Sequence, residues 1–448
     1  PTMPHFMGES LVWGGPHAHT APGDGVQVGN YRSTGDCNKA FFGRRRSGWP
    51  LGPPRHGALQ PASTMDRMAR PFDVCIRGAG IVGRALALQL AAKRLRVALV
   101  DPQAGESTHG HSDLRAYALN AASRELLQSL RCWPEEQQAT PVLSMQVFGD
   151  QGGDLRFDAL DQDAPALNWM VDVPALEALL VQALSFQSLV TVVDAPCAAA
   201  LTVVCEGRTS STRAQFGVEF DVKAYPQHAL AARVSCAVAH QQVARQWFAN
   251  VQGQSEILAL LPLDGAQGSA CALVWSLSPE RAQGMQAALP QAFCEELETL
   301  SGQTLGACEL ISARGVWPLQ SASARHWCGT NAHGAWVLAG DAAHTVHPLA
   351  GQGLNLGLGD VAALAKVLDA RPYWRSVGDP RLLRAYARER KAALALVGGV
   401  GDLVQQIFYH PHPLLALGRN WGLSAFSRSG PLKNWVTRRA MGWPASSS

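Results

Sequence analysis

Apolar residues begin to follow a regular period at Phe72 and keep one almost to the end of the chain. Asp73-Val-Cys-Ile-Arg77 is a short apolar run of strand type. Ile81 to Lys93 has helical spacing, and Leu95-Arg-Val-Ala-Leu-Val100 is a second strand closed by Asp101. Together they predict a βαβ unit. Residues 142–173 read as strands around a Gly-rich turn at Gly149–Gly153. Pro174 to Leu184 reads as a helix with proline in its first turn. Strands follow at Val190–Val193 and Leu201–Val204. Alternating runs at His228–Val238, Glu256–Leu263 and Ala270–Leu277 predict a β-sheet with one covered face. Leu289–Leu300 reads as a helix and Trp336–Gly340 as a strand. Beyond Leu354 the pattern is helical, with breaks near Pro372, Pro380 and His410-Pro-His-Pro413.

Residues 1–70 show no such period and are crowded with Gly and Pro. They predict a disordered leader that buries too little apolar surface to offset its chain entropy. Arg44-Arg45-Arg46 has no apolar stretch behind it, so a secretory signal is not expected. A natural start at Met65 or Met68 would leave this leader outside the working protein. The formal charge of +3 resides there, because residues 1–70 hold eight Lys/Arg against four Asp/Glu. The remainder is nearly neutral, which argues against nucleic-acid binding. Ten scattered cysteines without a C-x-x-C pair suggest free thiols in a reducing, cytoplasmic setting and no metal site. No apolar stretch is long enough to span a bilayer. Apolar helix surface near Phe408, Leu414, Trp421 and Trp435 would instead rest on the inner face of a membrane or pack against other helices.

Two glycine motifs carry the chemistry. In Gly78-Ala-Gly80-Ile-Val-Gly83, Gly78 serves the tight turn, Gly80 the approach of a pyrophosphate, and Gly83 close helix–strand packing. The diphosphate would meet the free N–H groups of the helix that follows. Asp101 would accept hydrogen bonds from both adenosine ribose hydroxyls, which selects FAD or NAD over NADP at this site. The second motif follows an apolar strand: Gly340-Asp341-Ala-Ala-His344-Thr-Val-His347-Pro348-Leu-Ala-Gly351-Gln-Gly353-Leu354-Asn355. Asp341 would accept from a flexible polyol such as the ribityl chain. Backbone donors from Gly353, Leu354 and Asn355, at a helix N-terminus, would favour the negative charge of a reduced flavin. The two motifs together point to FAD.

The stretch Gly340–Gly357 resembles the second flavin signature of the class A flavoprotein aromatic hydroxylases, and its His-Pro-Leu-Ala-Gly-Gln-Gly variant resembles the ubiquinone-biosynthesis hydroxylases in particular. Asp113–Ser123, Tyr225–Val234, Leu261-Pro-Leu263 and the series Arg384, Tyr386, Arg388, Arg390 are also similar to that branch. The resemblance spans residues 71–443. It implies an α/β fold in which a Rossmann-like FAD-binding domain, para-hydroxybenzoate hydroxylase-like, is interleaved with a β-sheet substrate domain and followed by a helical C-terminus. On this reading 71–140, 174–215 and 315–368 form the discontinuous FAD-binding domain. Residues 141–173 and 216–314 form the substrate domain, and 369–448 the helical region.

It also implies a monooxygenase in which NAD(P)H reduces FAD and O₂ yields a flavin C4a-hydroperoxide that hydroxylates an aromatic ring, expected to be a polyprenylated phenol. An FAD hydroxylase of another aromatic compound, or a non-catalytic flavin-binding subunit of a quinone-biosynthesis complex, stands as the alternative. Pro348, beside the reactive flavin edge, and His347 are the candidate catalytic positions; His344 and His347 also read as hydrogen-bonding residues of the loop. Arg115 is a candidate flavin contact. One element departs from the family: Glu206-Gly207 stands where Asp-Gly is usual, and Thr209 where Arg is common, while Ser210 and Arg213 match. Glu206 is assigned to the cofactor with its carboxylate displaced by about 1.5 Å, one C–C bond.

Overall fold

The structure is a computed structural model that describes residues 72–102, 115–149, 153–251, 253–346 and 352–409, with side chains up to 395. The leader, the apolar C-terminal segment beyond 409, and His347, Pro348 and Gly351 lie outside the described residues.

The βαβ unit forms as its pattern predicts, with strands Phe72–Arg77 and Val97–Val100 flanking the helix Ile81–Ala92. It lies within a six-stranded sheet ordered Cys328–Asn331, Gly334–Leu338, Ala199–Val204, Phe72–Arg77, Val97–Val100, Val190–Val193. Its strands are parallel except Cys328–Asn331, which runs antiparallel to Gly334–Leu338. Parallel strands are covered on both faces, so they read as unbroken apolar runs; every residue of Val97–Val100 is buried. The main core gathers these strands with Leu86 and Leu90, Leu176 and Leu180 of helix Val173–Ser185, and Val361 and Leu364 of helix Gly353–Asp369.

A nine-stranded sheet follows the path His344–Thr345, Gly315–Ala324, Phe220–Cys236, Ala270–Leu277, Gln254–Pro262, Val243–Val251, Ser144–Phe148, Asp154–Asp158, while Cys308–Leu310 adds to Phe220–Cys236. One face packs Leu230, Leu258, Leu273 and Trp275 against Phe293 and Leu297 of helix Pro290–Leu300. The opposite face carries Ala244, Ala270 and Ala272 against Val142 and Met170.

Sheet membership redraws two expected boundaries. Gly315–Ala324, placed in the FAD-binding part, is a strand of the nine-stranded sheet. Ala139–Val142 and Asn168–Asp172 join Ala116–Leu119 in a separate three-stranded sheet. Local pattern identifies a strand, whereas its sheet depends on pairing at long range. Val243–Val251 was not predicted, because Arg245 and Gln246 interrupt its apolar run; both are buried in the folded chain. The short strand His344–Thr345 matters most for function. It pairs with Ala322 and Ser323, so the chain leaves the six-stranded sheet after Leu338 and within a few residues enters the nine-stranded one. The start of the second glycine motif, Gly340 to Thr345, therefore runs from one sheet to the other.

Candidate active site

The parallel strands of the first sheet bring the predicted residues to one edge. Asp101 follows Val97–Val100, the glycine turn follows Phe72–Arg77, Glu206 follows Ala199–Val204, and Gly340-Asp341 follows Gly334–Leu338. These are the carboxyl ends of four adjacent strands, where open α/β sheets bind ligands. The strands that lead to Asp101 and Asp341 are three inter-strand spacings apart, about 14 Å, in one sheet.

The three glycines of the turn sit in different surroundings. Gly78 has a φ of +108°, and a Cβ there would lie 2.5 Å from the Cys205 carbonyl oxygen. A Cβ at Gly83 would lie 1.9 Å from the Gly78 oxygen, so helix and strand touch backbone to backbone. At Gly80 a Cβ would meet nothing within 4 Å. Gly80 therefore keeps space open in front of a helix N-terminus instead of relieving a clash. Asp101 lies beside this mouth with Arg84 Nη2 at 3.6 Å.

At the other end, Gly353 opens the helix Gly353–Asp369 and likewise faces open space. The N–H groups of Gly353, Leu354 and Asn355 lie in its first turn, and Leu356 makes its bond back to Gln352 O at 3.0 Å. First-turn N–H groups have no carbonyl within their helix. The Asn355 side chain serves a different purpose. Its Oδ1 accepts from Asn120 N at 2.9 Å and Ser123 Oγ at 2.7 Å, and its Nδ2 donates to Ala118 O at 2.8 Å. It fastens the helix Gly353–Asp369 to the strand that follows Arg115 and to the helix Ala121–Ser129.

Asp341 is exposed. Crowding by surrounding protein raises its pKa, while the charges of His344, Arg208 and Arg115 pull the other way. Arg115 is thereby near enough for its charge to act on Asp341.

Glu206 is tied into its own loop. Ser210 Oγ donates to it at 2.7 Å, Thr212 N at 3.0 Å, and Arg77 Nε approaches to 3.2 Å. Burial pushes its carboxyl upward, but the bonds from Thr212 and Ser210 and the Arg77 charge outweigh this and hold it below the usual range. Ser210 is the N-cap of the helix Ser211–Gln215, its Oγ accepting from Arg213 N, and Glu206 takes the first-turn N–H of Thr212. From that helix Arg213 reaches Ala342 O at 3.1 Å and Arg208 O at 2.9 Å.

One residue at the centre of the site was not anticipated. Asp360, fully buried, accepts Gly340 N–H at 2.8 Å and His344 Nε2–H at 2.7 Å on Oδ2, and Arg390 Nε–H at 2.7 Å on Oδ1. Burial alone would raise its pKa; His344 and Arg390 reverse that and keep it ionised. With Nε2 committed as donor, the His344 ring stacks on Trp327 at 5.0 Å, and its buried Nδ1 has no partner among the described residues. His344 is thus a structural member of the loop. The sequence signal for Asp360 was a lone carboxylate inside an otherwise apolar helical stripe.

Comparison with known proteins identifies the family. A model described as FAD dependent oxidoreductase matches residues 73–174, and one described as FAD binding domain matches residues 193–397. The 3-demethoxyubiquinol 3-hydroxylase of Escherichia coli is 30% identical over 400 residues, covering 83% of this chain and 99% of that one. The chain belongs to this family of FAD-dependent hydroxylases. Ubiquinone hydroxylase UbiL of Rhodospirillum rubrum is 29% identical over 420 residues, covering 88% of this chain and 94% of the relative. Among solved structures, p-nitrophenol 4-monooxygenase PnpA from Pseudomonas putida superposes with a TM-score of 0.65 at 17% identity, over 84% of this chain and 99% of that one. At that identity it establishes the shared fold. The hydroxylase uses FAD, and an open Gly80 and Gly353 before two helix N-termini give the cofactor a cradle that side chains would fill.

Proposed function

We propose that this hydroxylase adds oxygen to the aromatic ring of a polyprenylated phenol in ubiquinone biosynthesis, with NAD(P)H as reductant and O₂ as oxidant. What carries the reading is the single edge that aligns Asp101, the Gly78–Gly83 turn, Glu206 and Asp341, in a chain that matches ubiquinone hydroxylases over nearly their full length. When bound, FAD supplies the oxygen-activating redox chemistry. The protein's own residues bind and orient. Asp101 would hold the adenosine ribose, the Gly80 turn the diphosphate, and Asp341 the ribityl hydroxyls. The N–H groups of Gly353, Leu354 and Asn355 would meet the negative end of the reduced ring. Arg115 adds positive charge on the same side, and His347 and Pro348 remain proposed for the reactive edge.

Glu206 supports an active enzyme over a non-catalytic subunit, since its loop is fully organised around the longer side chain. No helix among the described residues is long and apolar enough to cross a membrane. A prenylated substrate partitions into lipid, so the reading includes peripheral contact with the inner membrane face, within or beside a quinone-biosynthesis complex. The test has two stages. Purified protein should show a flavin spectrum that bleaches with NADH or NADPH under anaerobic conditions. A strain lacking the gene should accumulate a quinone precursor short of one hydroxyl, restored by the wild-type gene. No bleaching with either donor in folded, FAD-loaded protein would overturn the enzymatic reading. An unchanged quinone profile in a strain without a redundant hydroxylase would move the substrate to another aromatic class.

A further inference from the structure

Away from the flavin edge, the helix-covered face of the nine-stranded sheet gathers thiols that the hydroxylase reaction does not use. Cys236 ends the long strand Phe220–Cys236, and Cys308 begins the short strand Cys308–Leu310 paired to it. The register sets the two directly opposite each other. Ala237 N donates to Ala307 O at 2.8 Å and Ile311 N to Arg233 O at 3.0 Å. Because hydrogen-bonded and non-hydrogen-bonded pairs alternate along an antiparallel ladder, Cys236–Cys308 falls on a non-hydrogen-bonded position. There the Cα atoms approach to about 4.5 Å and the side chains share a face, within the range that a disulfide spans. The two Sγ atoms are 3.6 Å apart. Cys308 is half-buried and lines a surface cavity of about 470 Å³ together with Cys294, Glu295 and Glu298, so a small oxidant reaches it from solvent.

We propose that Cys236 and Cys308 form an oxidant-sensitive dithiol, which a hydroperoxide closes to a disulfide across the edge of the substrate-side sheet. The sulfur of Cys308 attacks one peroxide oxygen. The O–O bond breaks, Cys308 becomes a sulfenic acid, and water, or an alcohol from an organic hydroperoxide, leaves with the thiol proton. Cys236 then attacks the sulfenic sulfur, the S–S bond forms, the S–O bond breaks, and a water departs. Two thiols give up two electrons, and one hydroperoxide takes them.

The pair is slow by construction. The S–H contact with Cys236 and burial push the Cys308 thiol up. Cys236 is pushed up to about 12 by contact with Cys271 and by burial, partly relieved by Cys308. Thiolate is the reacting form, so closure takes far longer than at a depressed-pKa sensor cysteine. Once made, the bond joins Cys308–Leu310 to the central strand and closes a long loop, which restricts the unfolded chain.

Full-length FAD-loaded protein would be treated with hydrogen peroxide over hours, blocked with an alkylating agent, and mapped by mass spectrometry without reduction. The expected result is a Cys236–Cys308 peptide pair lighter by two hydrogen atoms. A rise in the thermal unfolding midpoint of several degrees should accompany it, reverse with dithiothreitol, and be absent in Cys308→Ser. Should Cys308→Ser fail to fold, the wild-type peptide map still decides. A pair formed instead between Cys294 and Cys308, Cys236 and Cys271, or Cys75 and Cys197 would overturn the proposal. So would both sulfurs remaining alkylatable, or Cys308 oxidised alone.

Discussion

Replacing Asp360 with asparagine tests the buried carboxylate at its most specific point. The two oxygens have different duties: Oδ2 takes Gly340 N–H and His344 Nε2–H, and Oδ1 takes Arg390 Nε–H. An asparagine that turns its oxygen toward Gly340 and His344 keeps those bonds and points its own NH₂ at the guanidinium. The loss then falls on Arg390, whose side chain is 12% exposed and which also donates to Leu356 O at 3.1 Å. Breaking one side of a buried ion pair costs about 3–5 kcal/mol, against about 5–15 kcal/mol for a typical whole domain. Asp360→Asn should lower urea stability by that amount. Asp360→Asn combined with Arg390→Met should recover most of it, because no unpaired charge remains. The carboxyl is held below its ordinary value, so its contribution is complete above about pH 3.9 and fades as the pH falls through the depressed value. The acid limb of the stability curve should therefore flatten in Asp360→Asn. The assay is urea unfolding of apoprotein by circular dichroism, from pH 3 to 8. A loss below about 1 kcal/mol, or a double variant whose losses merely add, would refute the reasoning.

Three further changes separate folding from binding. Gly80→Ala should leave the unfolding midpoint nearly unchanged while weakening FAD at least tenfold, and Gly83→Ala should yield little folded protein; equal behaviour in flavin titration and thermal melts would contradict the geometry. Asp341→Asn should raise the stability of apoprotein near pH 7, since it removes a carboxylate whose pKa crowding raises, yet weaken FAD; a fall in both quantities would make Asp341 a structural residue. Asp101→Ala removes hydrogen bonds to a charged acceptor, of order 1.5–3 kcal/mol, so flavin affinity measured by fluorescence quenching should fall about 10- to 150-fold, and an unchanged affinity would place the ribose elsewhere.

The geometry of the first glycine turn was legible because its physics is local. Tight turn, open approach and close packing each demand glycine at a fixed offset, and Gly78, Gly80 and Gly83 show these three environments separately. The position of Asp101 was legible because it follows the next strand. Asn355 was legible only in part: its backbone position followed from the helix start, but its side-chain bonds to Asn120, Ser123 and Ala118 depend on partners far along the chain. Asp360 was illegible for the same reason. On a helical wheel it is one polar residue in an apolar stripe, and only the fold brings Gly340, His344 and Arg390 to it. Likewise Arg245 masked a strand, since a buried arginine donating to the His240 carbonyl at 3.2 Å looks from sequence like a solvated one.

These long-range partners converge on three residues. Asp360 holds the N–H of Gly340, Arg213 holds the carbonyl of Ala342, and Tyr386 holds the carbonyl of Leu338 at 3.1 Å just upstream. The backbone on both sides of Asp341 is thus fixed by buried groups from three separate segments, while its own carboxylate stays open at the edge. A free loop would swing that carboxylate away from the crowding that raises its pKa; a clamped one cannot. If Asp341 holds the ribityl chain as proposed, this placement prepares the site in advance, because the reorganisation is met during folding and not at each binding event. The Glu206 loop belongs to the same arrangement. Its glutamate accepts from Ser210 Oγ and Thr212 N at the start of the short helix that carries Arg213, which joins this loop to the clamp at Ala342.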